Sequence, residues 1–199
     1  DVNTIQLTLP QVSYPIYVGE DVLLNKEIFS RHIKGHQVLI VTQENISKFY
    51  LASLQKNLGQ YQLDVVTLQA GEQHKTTLEW FKIFDALLSF SHERTTTLIA
   101  LGGGVVGDMT GFAAACYQRG VNYLQVPTTL IAQVDSAIGG KTGLNYGVCK
   151  NMMGAFYHPQ CVIADVSTLK TLSQRDYISG LAEVIKYGLI CDSEFLHWI

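Results

Sequence analysis

Cysteine and proline are both scarce in this sequence of 199 residues, with four of each, and both scarcities narrow the reading. Cys116, Cys149, Cys161 and Cys191 show no CxxC spacing, so neither a disulfide scaffold nor a cysteine-held zinc is indicated, and reduced thiols in a cytosol are expected. No Pro- or Ser-rich linker, internal repeat or low-complexity segment divides the chain. Lys and Arg form no run and the formal net charge is -3, which leaves no electrostatic footprint for nucleic acid or an anionic membrane surface. Any anion must therefore be held locally. No uninterrupted apolar stretch approaches the ~20 residues of a membrane span, and DVNTIQLTLPQ opens with an acid where a secretory signal needs positive charge. A soluble, cytoplasmic protein is expected.

Apolar residues are plentiful, 47% against 16% charged, which is enough for one sizeable core. Thr4 to Leu9 alternates apolar and polar, Pro10 to Tyr14 has turn chemistry, and Ile16 to Val18 resumes the alternation, predicting an N-terminal hairpin. The run Gln37 to Thr42 predicts a strand, followed by a helix from about Ser47 to Leu58, a strand Leu63 to Leu68 and a helix Thr76 to Phe90. Thr95 to Leu101, Val121 to Val126 and Cys161 to Val166 predict three more strands, separated by segments long enough for crossovers. Strands apolar on both faces and alternating with helices imply an α/β fold, a mostly parallel sheet with helices on both faces. Ser173 can cap a helix running through Asp176, Ile178, Leu181, Val184, Ile185 and Leu189, and Asp192 can cap another. The expected division is an α/β domain over residues 1–172 and, over 173–199, the beginning of a helical domain whose remainder is missing.

Gly102-Gly-Gly-Val-Val-Gly-Asp108 follows a predicted strand and opens a predicted helix, the context in which a GxGxxG match gains meaning. Glycines let a pyrophosphate approach the backbone, and the helix N-terminus supplies free N–H groups and a favourable dipole. A tight turn before a slim helix, with Gly107, Gly111, Ala113, Ala114 and Ala115, accounts for the same residues without a ligand. The motif departs from the Rossmann fingerprint, since it follows a later strand than the first and no acid ends a strand ~20 residues on. In Gly71-Glu-Gln-His-Lys75, Glu72 could accept from ribose hydroxyls and Lys75 could reach a phosphate, or both could form a solvated cap.

The densest stretch runs from Pro127 to Asn151. There Asp135, Lys141, Lys150 and Asn151, with glycines at 139, 140, 143 and 147, place charge and hydrogen-bonding groups on what reads as a flexible loop. An ammonium beside glycine N–H groups outlines a phosphate site, although GGKT lacks the leading glycine of a Walker loop, and a solvated surface loop is the plain alternative. Glu183 and Lys186 share one helical face at i, i+3, as either a surface ion pair or groups facing a cleft. A lone Glu makes no metal site, and the six histidines show no HxxxH or HExxH arrangement.

In order, GGGVVGDMTGFAAACYQRG, VPTTLIAQVDSAIGGKTGLN, CKNMMGAFYHP and SGLAEVIKYG resemble the 3-dehydroquinate synthases over essentially the whole chain. The resemblance implies a Rossmann-like fold that binds NAD through Gly103, Gly104, Val105 and Asp108, through Glu72 and Lys75, and through Thr128 and Thr129 near the nicotinamide. Asp135, Lys141 and Lys150 border both cofactor and substrate. Thr42, Gln43 and Asn45 match the family's adenosine-ribose segment, with Gln43 where Asn or Asp is more common. The resemblance further implies Asp135 on a substrate hydroxyl, Lys141, Asn151 and Lys186 on the phosphate, and Lys150 at the active site. Arg119 would reach the phosphate held by the partner subunit of a homodimer, and Glu183 would be the first ligand of a zinc or cobalt ion. The family's two histidine ligands and its carboxylate-binding Lys and Arg belong to the helical domain that follows.

The implied reaction converts a sugar-acid phosphate, 3-deoxy-D-arabino-heptulosonate 7-phosphate, to 3-dehydroquinate in aromatic amino acid biosynthesis, a lyase reaction. Transient oxidation by NAD acidifies a C–H so that phosphate can leave, the hydride returns, and the ring closes by aldol addition. Other sugar-phosphate cyclases and polyol dehydrogenases share parts of this residue set, and a nucleotide-binding module without catalysis is the reading from a different class.

Overall fold

The computed structural model describes residues 2–199. Strands β1 (Val2–Leu9) and β2 (Val12–Gly19) pair as the N-terminal hairpin, closed at Pro10 and Gln11. The turn is tighter than the Pro10 to Tyr14 expected from sequence, because Tyr14 and Ile16 both pack with Ala137 and Val162, and burying that face requires the strand to begin early. Helix α1 (Lys26–His32), whose first turn is capped by the Asn25 side chain, leads into β3 (Gln37–Gln43). There follow α2 (Glu44–Asn57), β4 (Gln62–Leu68), α3 (Thr77–Ser89), β5 (Thr97–Gly102), α4 (Gly104–Cys116) and β6 (Asn122–Pro127). A second hairpin, β7 (Lys141–Tyr146) and β8 (Cys149–Phe156), precedes β9 (Val162–Asp165), α5 (Gln174–Cys191) and α6 (Ser193–Trp198). Ser173 and Asp192 cap α5 and α6 as their positions predict.

The large sheet runs β1-β2-β9-β6-β5-β3-β4, and every pairing except the first hairpin is parallel. Its strands bury both faces. Val38 and Ile40 of β3, Ile99 and Leu101 of β5 and Leu124 and Val126 of β6 face α1 and α2. Leu39 and Val41, Leu98 and Ala100 and Tyr123 face α3 and α4. Full burial of each such aliphatic side chain contributes about 1.5–3 kcal/mol before entropy is subtracted, so the two cores hold the sheet between its helices. The α/β arrangement with a mostly parallel sheet, inferred from the strand pattern, and its Rossmann-like character, implied by the resemblance, are the observed ones.

Two local expectations change. Helix α2 starts at Glu44 rather than near Ser47, because β3 stays buried through Gln43 and passes directly into it. The segment expected as a flexible loop up to Asn151 is instead partly a π-helical turn, Ala132–Ser136, and the β7–β8 hairpin. Its backbone groups are paired in register, from Lys141 opposite Phe156 to Leu144 opposite Met153, with an irregularity between Leu144 and Tyr146. Among the described residues no helix is long and apolar enough to cross a membrane.

Candidate active site

The chain leaves β3 towards β4 on one side and leaves β5 towards β6 on the other, so the crevice beyond the carboxyl ends of β3 and β5 is the topological switch point of the sheet. Gly103 ends the turn after β5 and stands at the N-cap of α4, whose first N–H groups lack intrahelical partners. Only a small residue fits there: a Cβ on Gly104 would lie 2.8 Å from Ser136 Oγ. Thr128 N–H donates to the Gly102 carbonyl at 3.0 Å, which brings the end of β6 against the glycine turn. The methyl of Thr129 lies beside Gly103. Thr128 Oγ1 and Ser136 Oγ are buried with no partner among the described residues, and an unsatisfied buried hydroxyl costs about 1–3 kcal/mol unless something else bonds it.

A polar chain runs from this turn to the second hairpin. Lys75, only 3% exposed, donates from Nζ to Asp108 Oδ2 at 2.6 Å and to Asn151 Oδ1 at 2.5 Å. Its ammonium is thus held by two side chains that border the cleft, since a buried cation is costly without partners and folds onto the two that are present. Burial raises the Asp108 carboxyl above its ordinary value, and Lys75 opposes that rise. Glu72 sits in a 310 turn and accepts from Asn145 Nδ2 at 2.9 Å.

Asp108, Asp135, Ser136, Lys141 and Asn151 line one cleft of about 480 Å³, walled on one side by Met152, Gly154, Ala155 and Phe156 of β8. Asp135 stands on the π-helical turn, and Lys141 Nζ reaches its Oδ1 at 3.1 Å. Tyr187 of α5 donates to the Val134 carbonyl at 3.2 Å and approaches Asp135 Oδ1 at 3.4 Å, tying α5 to this turn. Burial, then the Asp135 charge, raises the Tyr187 hydroxyl, which keeps it a donor. Gly139 N–H is taken by Tyr14 Oη at 3.1 Å, so the glycine pair before Lys141 is not a free anion nest.

Glu183 and Lys186 pair with each other on α5. Among the described residues no three His, Cys, Asp or Glu side chains gather into a metal-holding group, so one carboxylate engaged by a lysine does not constitute a metal centre here. Lys150 is exposed on β8 and does not line the cleft. Arg119, at a positive φ of 66° in the turn after α4, is also exposed. It lies past the far end of that helix, roughly 18 Å from the glycine turn at 1.5 Å per residue. Thr42 is buried, donating to the Leu101 carbonyl at 2.9 Å, and Gln43 turns back to the Gln69 carbonyl at 3.1 Å. Asn45 reaches a separate cleft of about 530 Å³ with Glu44, Lys48, Thr67 and His74. The residues that sequence reading missed are Ser136, Asn145 and Tyr187; all three lie inside the motif blocks, but nothing in their spacing marks Ser136 as lining the cleft or the partners of Asn145 and Tyr187.

The family model described as "3-dehydroquinate synthase N-terminal" matches residues 65–179. The chain belongs to that family. The 3-dehydroquinate synthase of Pseudomonas entomophila (strain L48) is 54% identical over 198 residues, covering 100% of this chain and 54% of the relative. The chain thus spans about half the length of the curated relatives it matches. A structure of 2-deoxy-scyllo-inosose synthase complexed with carbaglucose-6-phosphate, NAD+ and Co2+ superposes with a TM-score of 0.88 at 26% identity, over 94% of this chain and 52% of that one. The 2-epi-5-epi-valiolone synthase of Streptomyces hygroscopicus subsp. jinggangensis 5008, with NAD+ and Zn2+ bound, gives 0.83 at 32% identity, over 94% and 52%.

The 3-dehydroquinate synthase N-terminal match contains Glu72, Lys75, the glycine turn, Asp135, Lys141 and Asn151. It begins after Thr42, Gln43 and Asn45 and ends before Glu183 and Lys186.

Proposed function

We propose that this chain is the NAD-binding half of a 3-dehydroquinate synthase, a cytoplasmic lyase of aromatic amino acid biosynthesis that acts as a homodimer. The observation that carries the proposal is the convergence of Asp108, Asp135, Lys141 and Asn151 on one cleft beside the open N-terminus of α4. A dinucleotide suits the switch-point crevice, because Gly104 has no room for a Cβ and the unpartnered hydroxyls of Thr128 and Ser136 offer donors and acceptors. Gly103, Gly104, Val105 and Asp108 would face its phosphates, Thr128 and Thr129 its nicotinamide end, and Asn45 its adenosine end. Gln43, held by the Gln69 carbonyl, would leave the ribose contact to its neighbours. NAD bound there supplies the transient oxidation of a secondary alcohol.

The protein's own groups do the rest. Lys141, more than half exposed and paired among the described residues with Asp135, is free to exchange that partner for a substrate phosphate, and Asp135 to take a substrate hydroxyl. Asn151 and Lys186 would add donors to the phosphate, and Lys150 would swing in from β8. Arg119, remote from its own cleft, would serve the partner subunit's phosphate. Residues 1–172 would form the cofactor domain and 173–199 the start of a helical one. The exposed apolar side chains Ile178, Leu189, Ile190 and Trp198 support a further packing layer on α5 and α6. Glu183 would be one ligand of a zinc or cobalt ion completed by sequence beyond this chain.

The test uses the full-length protein with the seven-carbon sugar-acid phosphate. Phosphate should be released continuously while NADH does not accumulate. Steady NADH accumulation without phosphate release would assign a polyol dehydrogenase instead, and turnover of a sugar phosphate lacking the carboxylate would assign another cyclase.

A further inference from the structure

Asn145 belongs to no role given so far, yet it touches both sides of the proposed site. It lies on β7 at the irregularity in the hairpin register, where Leu144 pairs with Met153 but Tyr146 pairs with Cys149. Freed from the ladder, its backbone N–H donates to the Lys75 carbonyl at 2.9 Å. Its side-chain amide then works in two directions. Nδ2 donates to Glu72 Oε1 at 2.9 Å, with the Glu72 carbonyl at 3.4 Å, and Oδ1 accepts from the Asn151 N–H at 2.9 Å.

That last bond helps to hold Asn151 at a φ of 54°, a left-handed conformation that asparagine tolerates better than most residues. In that conformation Asn151 Oδ1 meets Lys75 Nζ, and Lys75 also holds Asp108 in the first turns of α4. The bonds close a ring: Asn145 backbone to Lys75 backbone, Lys75 side chain to Asn151 side chain, Asn151 backbone to Asn145 side chain. A ring of this kind leaves few rotamers open to any member, and breaking one bond releases the others.

We infer that Asn145 is a positioning residue that couples the 72–75 turn to the hairpin carrying Lys141, Lys150 and Asn151, so that binding on the cofactor side and binding of phosphate on the hairpin side reinforce one another. The inference rests on the proposed NAD and phosphate sites. Glu72 and Lys75 stand on one side and Asn151 on the other, and the amide of Asn145 can hold both only when both are in place. Linkage then requires the effect to be reciprocal.

Calorimetry on the full-length protein tests it, with inorganic phosphate as the probe for the phosphate subsite. In the wild type, saturating phosphate should tighten NAD about 5-fold or more, and N145A should abolish that difference while retaining weaker NAD binding. N145D provides a second readout that a merely structural role would not move. The new carboxyl can still accept from Asn151 N–H but cannot donate to Glu72 unless one of the two carboxyls is protonated. Glu72 is the charged side chain bonded to it directly, and Glu72, Lys75 and Lys141 are the charges that act on Asp108 in the same cluster. NAD affinity of N145D should therefore recover as the pH falls, while that of the wild type does not. An unchanged phosphate effect in N145A, no phosphate effect in the wild type, or an N145D pH profile that follows the wild type would each overturn the coupling. If the wild type itself binds no NAD, the parent reading falls and takes this inference with it.

Discussion

The pair Lys75 and Asp108 shows what one residue contributes when its partner is buried. Lys75 is nearly inaccessible, so removing its charge leaves the Asp108 carboxylate in a poorly solvated place with no cation bonded to it, only Lys141 acting from farther off. Lys75→Met, which keeps most of the volume, should cost about 3–5 kcal/mol in urea denaturation at neutral pH, and adding Asp108→Asn should recover a large part of it. The pH dependence has a definite sign. Burial holds the Asp108 carboxyl above its ordinary value, so its contribution to stability is fully present below the unfolded value and is lost as the pH rises through the folded one. Lys75 limits that loss; without it the carboxyl rises further, and the decline should extend to higher pH. The double variant should show neither the decline nor its extension. A Lys75→Met protein as stable as the wild type at neutral pH would mean that water, rather than Lys75, already compensates the carboxylate.

Among the elements, the β7–β8 hairpin matters most for the site and was the least legible in the sequence. The strands of the large sheet announce themselves because each is apolar on both faces, and Ser173 and Asp192 announce their helices through local capping bonds. Residues 139 to 154 carry seven glycine and asparagine positions among charged ones, and their pairing depends on contacts far away in sequence: α4 beneath them and the 72–75 turn beside them. Nothing local specifies a hairpin there. The glycine turn was legible as a motif, whereas the pairing of Lys75 with Asp108 was not, since thirty-three residues separate them. The slim-helix reading of α4 and the ligand reading turn out to be compatible: Gly111 lets the hairpin approach, and a Cβ there would lie 2.5 Å from Thr142 Cγ2. Gly111→Ala should therefore push β7 outward, costing about 1–3 kcal/mol of stability and weakening phosphate binding more than NAD binding. Parallel calorimetry with NAD and with inorganic phosphate checks this; equal weakening would place the strain in the glycine turn instead of the hairpin.

At the scale of the whole molecule the question is what α5 faces. Tyr187 fastens it to the turn that carries Asp135, and Gly180 lets it sit on Leu130 and Ile131, so the helix is anchored along one side to the segment from Leu130 to Asp135. On another side it presents apolar residues to solvent, and Glu183 and Lys186 pair near that boundary. If Glu183 is only half of an ion pair, Glu183→Gln changes stability by about 0–1 kcal/mol and leaves turnover normal. As a metal ligand it behaves differently: the amide keeps the shape but loses the anionic oxygen, so in the full-length protein zinc content and turnover should fall together while NAD affinity is retained. The 199-residue chain, with a single carboxylate at that position, should carry far less than one zinc per chain after purification in zinc-containing buffer. Metal analysis and NAD titration of both forms decide the matter. Stoichiometric zinc on the short chain, or a Glu183→Gln protein with full zinc and full turnover, would remove Glu183 from the metal site and leave it as the partner of Lys186.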